Sequence, residues 1–300
     1  SEKYTVGYTD SAGVERTVTV PLFDPATDSL ARTFIRSRNK QIDPEDKPAK
    51  WENFRSFKTD TAHALAVMTI HSFGSKGRLP SFYRQSFRRL RKAKTPNLVI
   101  DLRTNGGGNV NNYTSLARYI RDTPFKVADS ATAMHNGLGR YKRYFSSGWL
   151  NSMILFLTTT KKEDGRYHFR YWEKHVFHPR KKNRYNGRVF VLINGPTFSA
   201  STLFAHTVKG QPNVLLIGEE AGGGAYGNSG ILIPDVALPR TKMKVRLPLF
   251  RLVQYHHPTK DGKGVMPDIY VPPTVDNIRN DRDGKMDKVL EIIKHSPAEP

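Results

Sequence analysis

The 300-residue sequence contains no cysteine. Disulfides, thiolate metal sites and thiol nucleophiles are thereby excluded. That absence fits a compartment where free thiols are a hazard, without identifying one. No apolar run approaches the roughly 18 residues that a membrane-spanning helix needs. The first residues, SEKYTVGYTD, lack the apolar core of a secretory leader, which leaves a cytoplasmic chain or a mature, trimmed form. There is no internal repeat. In IDLRTNGGG (100–108) a GGG run followed by Asn109 stands where a dinucleotide fingerprint would need GxGxxG, and the GKS or GKT of a P-loop is absent, so phosphate binding at that turn is a weak reading.

Acidic residues are also scarce: 27 against 48 lysines and arginines, a net charge of +21 and a pI near 10.1. Such an excess asks for an anionic partner, nucleic acid or a membrane surface. Its distribution qualifies that reading. Residues 31–96 hold 16 basic and 5 acidic groups, and 161–188 hold 10 and 3. Residues 189–300 are nearly balanced, at 13 and 11. The segment 161–188 interleaves Tyr, Phe and Trp with Lys and Arg, the chemistry of single-strand binding. It carries no RRM, KH or zinc signature, so nucleic acid is not expected, and a solvated or lid-like insertion is.

Tyr4, Val6 and Tyr8 alternate, Asp10 to Gly13 read as a turn, and Val14, Val18 and Val20 continue a β-hairpin. Residues 24–60 are polar and aperiodic and read as a linker or irregular surface. Buried strands are expected at 64–70, 97–102, 188–193 and 213–218, and helices from Pro80, after Asn109 and from Ala200 to Lys209. A β-rich stretch follows at 231–253, and a last helix carries Met286, Val289, Leu290 and Ile293. Strands alternating with helices give an α/β (α+β) architecture around a sheet of mixed direction. Three glycine-rich turns, 103–109, 194–199 and 219–230, leave strand ends, where function gathers in such sheets.

In RVFVLINGPTFSASTLFAHTVKG (188–210) a strand turns through Asn-Gly-Pro into a helix. Ser199 stands at the helix start. Such a serine either caps the helix or acts as a nucleophile helped by free N–H groups and the helix dipole. The spacing is not a GxSxG elbow. The glycines of IDLRTNGGG (100–108) make a tight turn, or let the backbone approach a ligand.

Taken in order, IDLRTNGGG, FVLINGPTFSASTLFA, IGEEAGGGAYGNSG and GVMPDIYV resemble the tail-specific, or C-terminal processing, serine peptidases across about residues 62–295. The resemblance implies a crotonase/ClpP-like mixed sheet core flanked by helices, often preceded by a PDZ-like domain. It divides the chain into residues 1–60, a hairpin and linker following a missing upstream region, and 61–300, a catalytic domain with a basic aromatic insertion at about 130–188. It makes Ser199 the nucleophile and the N–H groups of Gly107 and Ala200 the oxyanion hole, with Gly108, Glu219 and Asn228 in support. It implies no cofactor and no metal, a peptide or unfolded polypeptide as substrate, and a periplasmic or envelope location.

The general base departs from the pattern. The lysine of the processing branch falls here at Gly224, the glutamine four residues on is Asn228, and 219–230 holds no lysine. A Ser–Lys dyad is not expected. In the branch that includes the tricorn-type peptidases a histidine ahead of the PDZ-like domain is the base, which would lie upstream of Ser1. An inactive peptide- or ligand-binding module on the same fold is the alternative. Among local histidines, His206 lies two helical turns from Ser199. His71 and the pair His256-His257 read as packing or solvated side chains more readily than as the base. Glu219 and Glu220 could orient a base or bind a substrate amine, or simply satisfy backbone donors. Asp101 and Arg103 read as structural partners, since a buried strand-end charge needs one.

Overall fold

The computed structural model describes residues 3–10, 12–21 and 54–295. The expected linker lies outside the described residues as far as residue 53, and so does Ser11 of the first turn. Strands β1 (Lys3–Thr9) and β2 (Glu15–Pro21) pair antiparallel, with Val6 opposite Val18. Asp10 shapes the connection. Its Oδ1 accepts the N–H groups of Ala12 at 2.9 Å and Val14 at 3.0 Å, and its Oδ2 accepts from Arg16 at 2.6 Å.

The larger unit begins with β3 (Arg55–Asp60) and β4 (Leu65–Ile70), antiparallel neighbours. Residues 55–60 were expected in the irregular segment. They form an edge strand instead, because β4 supplies the partner that their weak alternation could not announce. Helix α1 (Leu79–Ala93) follows, its Phe82, Tyr83, Phe87 and Leu90 buried and its arginines outward, then β5 (Asn97–Asp101) and α2 (Val110–Ile120). The middle of the chain gives β6 (Ala128–Ala133), α3 (Gly148–Thr158), β7 (Thr159–Lys161), β8 (Tyr167–Phe169) and a one-turn α4 (Arg170–Lys174).

Next come β9 (Arg188–Ile193), α5 (Ala200–Val208) and β10 (Val214–Gly218). The β-rich stretch resolves into β11 (Gly227–Gly230), β12 (Asp235–Ala237), β13 (Lys244–Arg246) and β14 (Phe250–Gln254). The chain closes with β15 (Ile269–Tyr270), α6 (Val275–Arg279) and α7 (Gly284–His295).

Six strands make the central sheet in the order β15-β10-β9-β5-β4-β3, parallel except for β3. Its inner strands read as continuous apolar runs because both faces are covered. Alternate residues divide between two cores. Leu98, Ile100, Val189, Val191 and Ile193 face α1, α2 and α5, while Val99, Phe190, Leu192 and Ile217 meet Val289, Met286 and Leu290 of α7. Phe87 of α1 stacks on Tyr119 of α2 at 4.4 Å between centroids.

A second sheet, β11-β14-β6-β8-β7, is antiparallel throughout. Much of the expected insertion therefore serves as structure: Ala128, Ala131, Trp172, Phe177 and Tyr185 belong to the main core. His168 is buried between Glu173 (2.6 Å) and Asp164, and Glu173 also takes Lys162 at 2.8 Å and the Ala131 N–H. Burial works against the Glu173 charge, but those donors prevail and hold its carboxyl below the ordinary value.

Candidate active site

Strands β5 and β9 lie side by side and parallel, Asp101 opposite Leu192. Their carboxyl ends therefore release the loops 102–109 and 194–199 at one edge of the sheet. The two loops are stitched together. Thr197, fully buried, donates through Oγ1 to the Leu102 carbonyl at 3.0 Å and accepts the Asn194 N–H at 3.0 Å. The Phe198 N–H donates to the Asn105 carbonyl at 3.1 Å, and Thr202 Oγ1 donates to the Thr197 carbonyl at 3.1 Å.

Ser199 follows in a conformation that L-residues rarely adopt, φ 53° and ψ −121°. Its side chain makes no capping bond, and no hydrogen bond joins it to any of the described residues. Of the two roles open to a serine at a helix start, capping is thus not the one it fills. Residues held in sparsely populated backbone regions cost on the order of 1–3 kcal/mol and cluster at functional sites. The half-buried Oγ is unspent. The Ala200 N–H, first of α5, has no acceptor among the described residues, as expected for an orphan donor at a helix N-terminus.

The glycine turn closes on this serine. Gly107 has φ +107°, and a β-carbon on it would lie 2.6 Å from Ser199 Cβ and 3.0 Å from the Ala200 nitrogen. Close backbone approach is the reason for glycine here. The Gly107 N–H donates to Asn105 Oδ1 at 2.9 Å, so it is already engaged, while the Gly108 N–H has no partner among the described residues. The Gly107 carbonyl accepts the Phe73 N–H at 2.9 Å, which pins the turn to the segment after β4. Asn109 caps α2 through the Asn111 N–H at 2.8 Å.

The third loop joins them. Gly223 packs against Thr202 Oγ1, and a β-carbon on it would come within 3.1 Å of the Ser199 nitrogen; Gly222 faces the Gly195 carbonyl. Gly224 bridges Gly264, and the N–H groups of Ala221 and Ala225 donate to the carbonyls of Val265 and Lys263. The segment GVMPD thus braces the loop that lies on the serine turn.

Ser199, Ala200 and Gly107 are therefore brought together, with Gly108 next in the same turn. Of the two other sequence candidates, Glu219 is engaged in an ion pair and Asn228 lies in a strand. Glu219 Oε2 accepts from Lys285 Nζ of α7 at 2.7 Å. Asn228 stands in β11 opposite Leu252. Glu220 accepts the Gly264 N–H at 2.6 Å, the backbone-satisfying role weighed for it. Arg103 bonds Asp101 and Asp283, each at 2.7 Å. Burial opposes its charge, but the two carboxylates overcome that and raise its pKa.

The histidines weighed as bases have other surroundings. His71 Nδ1 meets Thr104 Oγ1 at 2.7 Å. His206 is half-buried beside Tyr255 and His256, and burial lowers its pKa. His257 lies edge-on to Tyr226 and 4.0 Å from Asp129, which also accepts the His256 N–H. Among the described residues, no histidine, lysine or carboxylate hydrogen-bonds Ser199. Thr197, Thr202 and Asn105 were not singled out from the sequence. Only Asn105 carried a signal, an Asn two residues before a glycine, which favours an Asx turn.

The arrangement is a strained serine flanked by one free amide, a close glycine turn and an unpaired neighbouring amide. Chemically it suits attack on a carbonyl whose oxygen becomes an anion. Comparison with known proteins gives the same direction. A family model described as peptidase family S41 matches residues 64–271. None of the curated proteins matches the chain in sequence. Among solved structures, a putative peptidase from Parabacteroides merdae is similar with a TM-score of 0.56 at 18% identity, over 87% of this chain and 71% of that one. Mature CPAF complexed with lactacystin is similar with a TM-score of 0.58 at 16% identity, over 97% and 67%. At such identities the likeness is one of fold.

Proposed function

The chain belongs to peptidase family S41, and on that premise we propose that it is a serine peptidase that cleaves peptides or unfolded protein tails through an acyl-enzyme. The observation that carries this reading is the Ser199 backbone, φ 53° at the mouth of a helix with its Oγ uncommitted. Ser199 Oγ attacks the scissile carbonyl carbon as the base removes its proton. The carbonyl oxygen becomes an oxyanion and is met by the Ala200 N–H. The second donor is the Gly107 N–H, which exchanges Asn105 Oδ1 for the oxyanion. Hydrogen bonds to a full charge are roughly twice as strong as neutral ones, so the exchange runs in favour of the transition state. The intermediate then collapses, the leaving amine takes a proton, and water releases the acyl group by the same route in reverse.

The base, in this proposal, comes from a segment ahead of Ser1. What supports this is the engagement of local candidates: His71 with Thr104, Glu219 with Lys285 and Glu220 with the Gly264 N–H. An inactive binding module is the second reading, favoured by the same lack of a partner on Ser199 Oγ. An extracytoplasmic location belongs to the same proposal, resting on the family resemblance.

The test compares the full-length protein with Ser199→Ala on an unstructured polypeptide, alongside a serine-directed phosphonate probe read by mass spectrometry. Cleavage lost in the variant and a probe adduct on Ser199 are expected. Equal cleavage by both proteins removes Ser199 as nucleophile. A full-length protein that neither cleaves nor takes the probe is the binding module.

A further inference from the structure

Residues 130–162 carry five lysines and arginines and no Asp or Glu; residues 235–260 carry six against the single carboxylate of Asp235, which lies 3.5 Å from Arg246. The fold makes them neighbours. Phe145 bridges Val236, the Ser146 N–H donates to the Asp235 carbonyl at 2.7 Å, and the Asp235 N–H donates to Ser146 Oγ at 3.0 Å. Between them opens a cavity of about 680 Å³ with mainly apolar walls, Leu138, Tyr141, Leu155, Val236 and Leu247 among them.

Helix α3, GWLNSMILFLT, has no charged residue and buries only Gly148, Asn151 and Leu155. Trp149, Phe156 and Leu157 are 68%, 67% and 69% exposed. Isolated apolar side chains on a surface are ordinary, but a contiguous patch marks an interaction site. Arg140, Lys142 and Arg143 precede this helix and Lys161 follows it, all exposed. The hairpin beside it carries both chemistries: Lys244 and Arg246 project to one side of its strand and Val245 to the other, with Lys242, Met243 and Leu247 flanking them, all exposed.

The chemistry selects the partner. Lysine is depleted from protein–protein interfaces, yet here it alternates with aliphatic side chains along one hairpin. Nucleic acid would meet the charges but leave Leu157, Met243 and Val245 without a counterpart. An uncharged helix with Trp, Phe and Leu outward and basic flanks matches an anionic bilayer surface, where apolar groups enter the headgroup boundary and lysines meet phosphates. Eleven residues rise only about 16 Å, so α3 can lie in that boundary and not cross the membrane.

We propose that α3, the turn 139–144 before it and the β12–β13 hairpin form a docking face for an anionic lipid surface. This does not rest on the peptidase reading.

Vesicle flotation tests it. The protein should float with phosphatidylcholine vesicles containing roughly one-third phosphatidylglycerol, not with phosphatidylcholine alone, and the bound fraction should fall at high salt. Two double variants, Trp149→Ser with Phe156→Ser and Lys242→Glu with Lys244→Glu, should each lower the partition constant by about tenfold or more, with far-UV circular dichroism unchanged. Because the two variants alter different chemistries, a folding failure in one leaves the other as the test. Failure of the wild type to float, equal binding to uncharged vesicles, or undiminished binding by both folded variants overturns the proposal. So does a dimer in sedimentation that the Trp149 variant dissolves, which assigns the face to a second copy. A salt-sensitive shift of single-stranded RNA without vesicle binding assigns it to nucleic acid and overturns it likewise.

Discussion

Gly107 approaches Ser199 so closely that a methyl group on its α-carbon would lie 2.6 Å from the serine Cβ. The positive φ of +107° adds backbone strain for any other residue. Gly107→Ala should therefore push the two loops apart at the point where the second oxyanion donor is needed. A fall in kcat of about 10²–10³, the usual loss for one such donor, is expected on a peptide substrate with the full-length protein. Retention of wild-type kcat would remove Gly107 from the oxyanion hole.

Ser199→Gly separates strain from chemistry. Glycine takes φ 53° without the cost that serine bears. Activity should vanish, while the unfolding free energy in urea rises by roughly 1 kcal/mol despite the entropy that glycine adds to the unfolded chain. A variant less stable than Ser199→Ala would show that the serine backbone stores no strain.

Thr197→Val keeps the shape of a buried side chain and removes its hydroxyl, which bonds both Leu102 and Asn194. One buried carbonyl and one N–H lose their partner. Destabilisation by about 1–3 kcal/mol is expected, and because Thr197 holds the serine turn against the glycine turn, kcat should fall more than KM rises. Unchanged kcat at reduced stability would confine Thr197 to a structural role.

His206 is kept below its ordinary pKa by burial. The folded state therefore binds fewer protons than the unfolded state as pH falls below about 6.5, and stability must drop in that window. His206→Gln should flatten the slope of unfolding free energy between about pH 7 and 5. Urea unfolding of both proteins across that range checks it, and parallel slopes would place the titrating group elsewhere.

Much of the site was legible because it follows a strand. RVFVLI and NLVID are apolar throughout, so their ends could be located, and Asn-Gly-Pro before Ser199 marked the turn. Whether Ser199 caps its helix or waits for a substrate was not legible, since both roles call for the same residue at the same place. Only the torsion angles and the uncommitted Oγ separate them. The second sheet was hidden for a different reason. β11 reads Gly-Asn-Ser-Gly, with little strand character, and β7 is only three residues, Thr-Thr-Lys; each is a strand because β14 or β8 lies beside it. The ion pair of Glu219 with Lys285 joins residues far apart in sequence. Nothing local to either side chain announces it.

The serine turn, the glycine turn and their brace come from three strand ends and a distant segment, between Phe73 and Val265. Parallel strands of this kind pair late, because long loops must close before any contact rewards them. Ser199 meets Gly107 only when β5 and β9 have paired, and the loop over them is braced only when residues 263–265 arrive. A chain in which these strands have not yet paired thus holds Ser199 apart from Gly107 and from the brace at residues 263–265. On the proposed peptidase reading, a reactive serine is a property of the finished fold alone.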